Sequence, residues 1–219
     1  EGFSSLLEKQ FADGGDAQTR HQIDVIRRSA LRLTHMIDAL LKYSRLEQQD
    51  LPRQRFNVLE MITTLITDRF NGLQGPKPKI QVALPFADLY GEPVSIRQAI
   101  ANLLDNAAKF SRHASPPTIT IGGTRVEHER ILWVQDNGIG FDPSHYDKIF
   151  GLFERLHSPQ EYEGTGVGLA IVKLVMDKHD GRVWVESAPG AGSKFYLAFP
   201  ERAESVVDRP SSSPHPASA

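Results

Sequence analysis

Asn102, Asn106 and Lys109 recur at i, i+4 and i+7 in "NLLDNAAKF", and they share one face if that stretch is helical. An amide oxygen is a hard neutral ligand suited to Mg²⁺, which keeps waters and takes its remaining ligands from phosphates. The face therefore suits a metal and a polyphosphate. A solvated helix surface has the same composition, so this spacing alone leaves both readings open. Downstream, "EYEGTGVGLAIVKLVM" places Gly164, Gly166 and Gly168 at alternate positions before an apolar stretch of helical spacing. Backbone N–H groups and the helix dipole both favour an anion at such a start. A P-loop would need a Lys-Ser or Lys-Thr pair where Leu169 and Ala170 stand, and a dinucleotide fingerprint would need glycine at Leu169 or Ile171. Gly164, Thr165, Gly166, Gly168 and Leu169 thus form a different phosphate cradle or an ordinary glycine-rich turn.

Two more stretches carry chemistry. "QDNGIGFD" closes an apolar run, and Asp-Asn-Gly is a common turn. It is also a place where Gly138 and Gly140 let a flat base approach the backbone while Asp136 accepts a hydrogen bond from an exocyclic amine. A carboxylate there prefers adenine, because the matching oxygen of guanine is itself an acceptor. "IFGLFERLH" offers Phe150 and Phe153 as anchors of a mobile segment, and Arg155 as a group that reaches phosphate.

The elements that must position these groups follow from periodicity. Phe3, Leu6, Leu7 and Phe11 predict a first helix, and "ADGGDAQ" a turn. Ile23, Ile26, Ala30, Leu33, Ile37, Leu40 and Ser44 then repeat at 3-4 spacing, the seam of a coiled coil or four-helix bundle. A hairpin buries too little alone, so pairing with a second copy is expected, with docking on the chain's own downstream domain as the alternative. Residues 1–47 are read as this dimerisation hairpin, 48–56 as a linker, 57–200 as a catalytic domain, and the Pro/Ser-rich 201–219 as a disordered tail. Within 57–200, helices are expected at "VLEMITTLITDRF", "EPVSIRQAIANLLDNAAKF" and "LAIVKLVMDKH". Strands are expected at "KIQVAL", "TITIGGTRV", "RILWVQDN", "RVWVES" and "KFYLAFP". Mixed order without strict βαβ alternation predicts an α+β fold, a two-layer α/β sandwich with helices on one face of a mixed sheet.

Composition bounds the rest. The 219 residues are 40% hydrophobic and 24% charged, as in a globular protein with a core. A net charge of −2 gives no electrostatic case for nucleic acid or an anionic membrane. The absence of cysteine excludes disulfides, makes zinc unexpected and agrees with a cytoplasmic setting. No apolar run approaches the ~18 residues of a membrane span. The first residue is Glu1 and the chain opens as if inside a helix, so a longer parent polypeptide is expected.

Taken together, these stretches resemble the ATP-binding domain of sensor histidine kinases over about residues 57–200. "NLLDNAAKF" is similar to that family's N box, "DNGIGFD" to its first glycine box, "IFGLFERL" to its F box, "GTGVGLAI" to its second glycine box and "GAGSKF" to a third. The hairpin resembles the family's dimerisation domain, and "FERLHSPQEYEGTGVGLAIVK" is particularly similar to phytochrome-like sensor kinases. The resemblance implies that GTGVG is the hinge of an ATP lid, with its N–H groups on the phosphates. It implies Asn106 as Mg²⁺ ligand, Asn102 as support for metal and phosphates, and Lys109 as a phosphate contact. It also implies Phe110 against adenine, Asp136 on the adenine amine, and Arg155 at the γ-phosphate. Lys109 and Arg155 are the expected catalytic cations, ATP and Mg²⁺ the cofactors, and a response-regulator receiver domain the partner.

One feature of that pattern is missing. Family members phosphorylate a histidine in an H-E/D-L-R-x-P stretch, and neither "TRHQID" (His21) nor "LTHMID" (His35) provides it. The acceptor is expected upstream of Glu1. Related ATPases of the gyrase, Hsp90 and MutL type carry a water-activating glutamate where Asn102 stands, so efficient hydrolysis is not expected. A non-enzymatic nucleotide-sensing dimer is the alternative.

Overall fold

The computed structural model describes residues 17–71, 77–156 and 161–201. The expected first helix, its turn and the tail lie outside these residues, apart from the turn's last residues and Glu201. Helix α1 spans Ala17–Gln48, about 48 Å of rod. Its heptad seam faces outward: Ile26 and Leu33 are each 61% exposed and Ile37 58%. A second stripe, Ala39, Tyr43 and Leu46, packs against the core of the following domain, where α1 meets helix α4 (Gly168–Lys178).

After a short loop, strand β1 (Gln54–Asn57) falls within and just beyond the stretch expected to be linker. It pairs antiparallel with β3 (Asp88–Gly91), a strand with no apolar alternation to announce it. Helix α2 (Val58–Phe70) starts where the Asn57 side chain accepts the Glu60 N–H at 2.9 Å, a cap that satisfies an otherwise orphaned donor. It buries Val58, Ile62 and Leu65 at helical spacing. Helix α3 (Pro93–Ser111) is started by Pro93 and by Glu92, whose two carboxylate oxygens accept the Val94 and Ser95 N–H groups.

Strands β2 (Lys79–Ala83), β4 (Thr118–Val126), β5 (Glu129–Asp136), β7 (Ser193–Pro200) and β6 (Arg182–Ser187) form one sheet in the order β2-β4-β5-β7-β6. Only β2–β4 is parallel. Ile119, Ile121, Leu132, Val134, Leu197 and Phe199 point inward from alternate positions and are at most 1% exposed. Against them lie Ile96, Ile100, Leu103 and Leu104 of α3 and Val172 and Val175 of α4. Burying side chains of this size stabilises the domain by roughly 1.5–3 kcal/mol each. The opposite sheet face carries a cross-strand row of Trp133, Tyr196 and Trp184, the last two stacked at 4.8 Å. The expected two-layer mixed sandwich is therefore what the chain forms. No helix among the described residues is long and apolar enough to cross a membrane.

Candidate nucleotide site

Helix α3 turns its apolar stripe to the sheet, which leaves Asn102, Asn106 and Lys109 on the rim of that stripe. Together with the start of α4 and the loops after β5, they line a cavity of about 360 Å³, within the range of small-molecule sites. Phe110, Gly140, Arg155, Gly164, Thr165, Gly166, Gly168 and Leu169 line it too, so most of the residues expected from sequence converge here. Asp136, Gly138 and Phe153 do not form its walls.

The two asparagines differ. Asn102 donates to the Gly168 carbonyl at 3.0 Å and accepts from Gln98 Nε2 at 2.9 Å, so both ends of its amide are engaged by the protein. It braces the start of α4 rather than offering a free ligand. Asn106 has no side-chain hydrogen bond among the described residues, and its amide is free toward the cavity.

Helix α4 is entered through Gly166, whose φ of +75° suits glycine, and a Cβ there would lie 2.7 Å from the Phe153 backbone. The Gly166 carbonyl accepts the Phe153 N–H at 3.0 Å, and this contact turns the Phe153 side chain outward, 41% exposed. Of the two expected anchors only Phe150 packs on the core. Unlike α2 and α3, α4 has no side-chain cap. Its first N–H groups and the positive end of its dipole are left for something else at the cavity.

Lys109 lies with its Nζ 4.1 Å from the Phe110 ring centre. Burial, then the Arg155 and Arg112 charges, lower its pKa to about 8, against the opposing pull of Asp105. Asp105 is itself pushed up by burial and drawn back by Arg69, which donates to it at 2.6 Å. Arg155 donates to the carbonyls of Gly164, at 2.6 Å, and Tyr162, while Arg112 donates to that of Glu161. These two guanidinium groups hold the segment that leads into the glycine turn. Burial, then the Arg32 charge on α1, hold Arg155 below the usual guanidinium range.

Asp136 is 5% exposed, at the end of β5. Its Oδ1 accepts the Gly138 N–H at 2.8 Å, and the Ser193 N–H also donates to the carboxylate. Burial outweighs both and raises its pKa to about 6. No cation pairs with it among the described residues, and it lies just behind the cavity wall, whose lining includes Ser193. Gly138 and Gly140 each admit a close backbone neighbour: a Cβ would lie 2.4 Å from the Phe110 carbonyl oxygen and 2.0 Å from that of Ala188, respectively, while Gly140 also lines the cavity.

Sequence reasoning missed the apolar wall. Tyr162 is 7% exposed, 5.1 Å from the Phe110 ring and beneath the Arg112 guanidinium, yet it comes from the polar stretch "HSPQEYEG", which has no periodicity. Its lone aromatic ring was the only available signal. Ile139, Phe141 and Ile149 complete the wall from loops that no periodicity marks, and Phe195 from the start of β7, where its alternation with Leu197 and Phe199 does mark it.

Residues 91–203 match the family described as "Histidine kinase-, DNA gyrase B-, and HSP90-like ATPase". The chain is 33% identical over 198 residues to the phytochrome-like protein Cph1 of Synechocystis, covering 90% of this chain and 26% of Cph1. Histidine kinase AdeS of Acinetobacter baumannii superposes with a TM-score of 0.67 at 21% identity, over 92% of this chain and 94% of that one. ShkA in complex with AMPPNP superposes at 0.65 and 22% identity, over 92% of this chain and 42% of that one. The chain spans about a quarter of the length of the phytochrome-like relatives it matches, and it belongs to the histidine kinase-, DNA gyrase B- and HSP90-like ATPase family.

Proposed function

We propose that this domain binds Mg-ATP in the cavity and transfers the γ-phosphoryl group to a histidine on a dimerisation helix, from which an aspartate of a response-regulator receiver domain takes it. The carrying observation is the uncapped start of α4, which opens on a cavity that also holds Lys109 and the free amide of Asn106. The AMPPNP held by ShkA supports the same ligand class. In this reading the α4 N–H groups and Lys109 hold phosphate oxygens, and Arg155 exchanges a lid carbonyl for the γ-phosphate. The Pγ–O bond to the β-phosphate breaks as a bond to the imidazole nitrogen forms, and ADP departs with the electron pair.

Phe110 and Tyr162 receive the adenine, and Asp136 accepts its amine. A carboxylate offers about four lone-pair sites, so the Gly138 and Ser193 N–H groups leave acceptor capacity unused. A buried, unpaired carboxylate is costly, and carboxylates perturbed by burial cluster at functional sites. The free Asn106 amide fits Mg²⁺, which its Oδ1 would hold together with phosphate oxygens and waters. Bound there, the metal neutralises charge between the phosphates. Asn102 has no free end and cannot act as a base, which favours transfer over hydrolysis.

The outward seam of α1 is the surface for a homodimer, with residues 1–47 as dimerisation hairpin, 48–56 as linker and 57–200 as catalytic domain. ATP and the receiver domain place the reaction in the cytoplasm. Affinity for AMPPNP is expected to be highest near pH 7, to fall as pH drops through about 6 and to fall again as it rises through about 8. On the acid limb Asp136 gains a proton and ceases to be a charged acceptor; on the alkaline limb Lys109 loses one. Isothermal titration across pH checks this, with Lys109→Gln flattening the alkaline limb alone. An affinity flat from pH 5 to 9 (roughly a unit beyond each limb) would remove both residues from the site.

A further inference from the structure

The two ends of α4 have different neighbours. Gly168, at its start, lines the cavity. At its far end the loop after α1 is gripped. Arg53 donates to the Lys178 carbonyl at 2.7 Å and pairs with Asp180 at 2.8 Å, and Lys178 Nζ donates back to the Gln49 carbonyl at 2.9 Å. Asp180 holds a φ of +55°, unusual for a non-glycine residue, in the turn that presents its carboxylate to Arg53.

Between the two lies His179, 2% exposed. Its Nε2 accepts the Glu92 N–H at 2.9 Å, which leaves Nδ1 to donate to the Val175 carbonyl at 2.7 Å. Glu92 caps α3, the helix that carries Asn102, Asn106 and Lys109. The loop after α1, the end of α4 and the start of α3 are therefore one hydrogen-bonded node.

We propose that Arg53 is a positioning residue that ties the orientation of α1 to the state of the nucleotide cavity through α4. A helix of eleven residues is about 16 Å long, and in a close-packed interior it shifts as a body rather than bending. Phosphate drawn to its uncapped start displaces its far end, and the Arg53 grip passes that displacement to the loop and α1. By linkage, a force that reorients α1 changes nucleotide affinity by the same factor. The stripe Ala39, Tyr43 and Leu46 holds α1 on the domain by apolar packing; the Lys178–Gln49 bond rests on one flexible ammonium, whereas the Arg53 fork, on carbonyl and carboxylate at once, fixes a direction. Asp180 is 75% exposed, so the ion pair adds little to stability, and its removal leaves the fold in place.

This inference rests on the nucleotide reading above. It is tested by hydrogen–deuterium exchange over residues 36–53, with and without saturating AMPPNP, in the wild type and Arg53→Gln. The wild type is expected to change its exchange rate there by at least about fivefold, at the low end of measured couplings between sites. Arg53→Gln should bind AMPPNP within about fivefold of the wild type and lose the response. If Arg53→Gln does not fold, Arg53→Lys takes its place, since an ammonium keeps the charge without the fork that spans carbonyl and carboxylate. A full response in the folded variant, or AMPPNP binding without any response in the wild type, overturns the inference and leaves the nucleotide site standing. Absence of AMPPNP binding by the wild type overturns both.

Discussion

Replacing Asp136 by asparagine is expected to abolish useful ATP affinity while making the empty protein more stable. The carboxyl is buried at the end of β5 with a pKa near 6 against an ordinary 3.8, so the folded state holds its proton more tightly than the unfolded chain. Its contribution to stability is therefore fullest below pH 3.8 and is lost as pH rises through about 6. At neutral pH the charge costs on the order of 3 kcal/mol. That figure is already net of the Gly138 and Ser193 bonds; asparagine removes it but buries an NH₂ group without a partner, which costs on the order of 2 kcal/mol. The net gain of about 1 kcal/mol raises the melting temperature by about 2–4 °C for a chain of this size. With the amide oxygen turned to the Gly138 N–H, the NH₂ group faces the adenine amine, donor against donor. The affinity should fall at least about 100-fold, or ~2.7 kcal/mol. Calorimetric melting and nucleotide titration on one preparation read both effects. Unchanged affinity would remove Asp136 from the adenine site, and a lowered melting temperature would contradict the burial account.

Asn106→Ala is expected to separate catalysis from folding. The Asn106 amide has no protein partner among the described residues, so its loss should leave the melting temperature unchanged and metal-free ADP affinity within about threefold. Mg²⁺-dependent phosphoryl transfer should fall about 10²–10³-fold, the usual cost of removing one oriented electrostatic contact from a transition state. Asn102→Ala is the contrast. It frees the Gly168 carbonyl and the Gln98 amide, so it should lower stability and loosen the start of α4 whether or not metal is present. Transfer rates and melting curves for the two variants decide between a ligand and a brace. Equal effects from both would show that the N-box face acts as one structural unit.

The helices and five strands of the main sheet were legible because each carries a dense periodic signal. Ile96, Ile100, Leu103 and Leu104 on α3, and Ile119 and Ile121 on β4, mark their faces unaided. Strands β1 and β3 were not, since "QRFN" and "DLYG" are too short and too polar to alternate. The site was legible in its polar residues and not in its walls. Asn106, Lys109 and the glycine turn announce themselves by type and spacing, whereas Tyr162 and Ile139 come to the cavity from loops through tertiary packing alone. Spacing also cannot say what a glycine makes room for: Gly138 and Gly140 admit the Phe110 and Ala188 backbones. On α1, the heptad stripe with Leu33 and Ile37 dominates the sequence, yet the stripe with Ala39, Tyr43 and Leu46 meets the domain. A helix records that it has two apolar stripes, not which partner each one meets.

The most direct test of the central claim is to incubate the full-length polypeptide with ATP labelled at the γ-phosphate and Mg²⁺, then to map the label. Transfer to histidine predicts a phosphoryl group that survives base, is lost in acid and is absent from the Asp136→Asn and Asn106→Ala variants. ATP binding by the wild type with no acid-labile label, or label on a residue that survives acid, would contradict it.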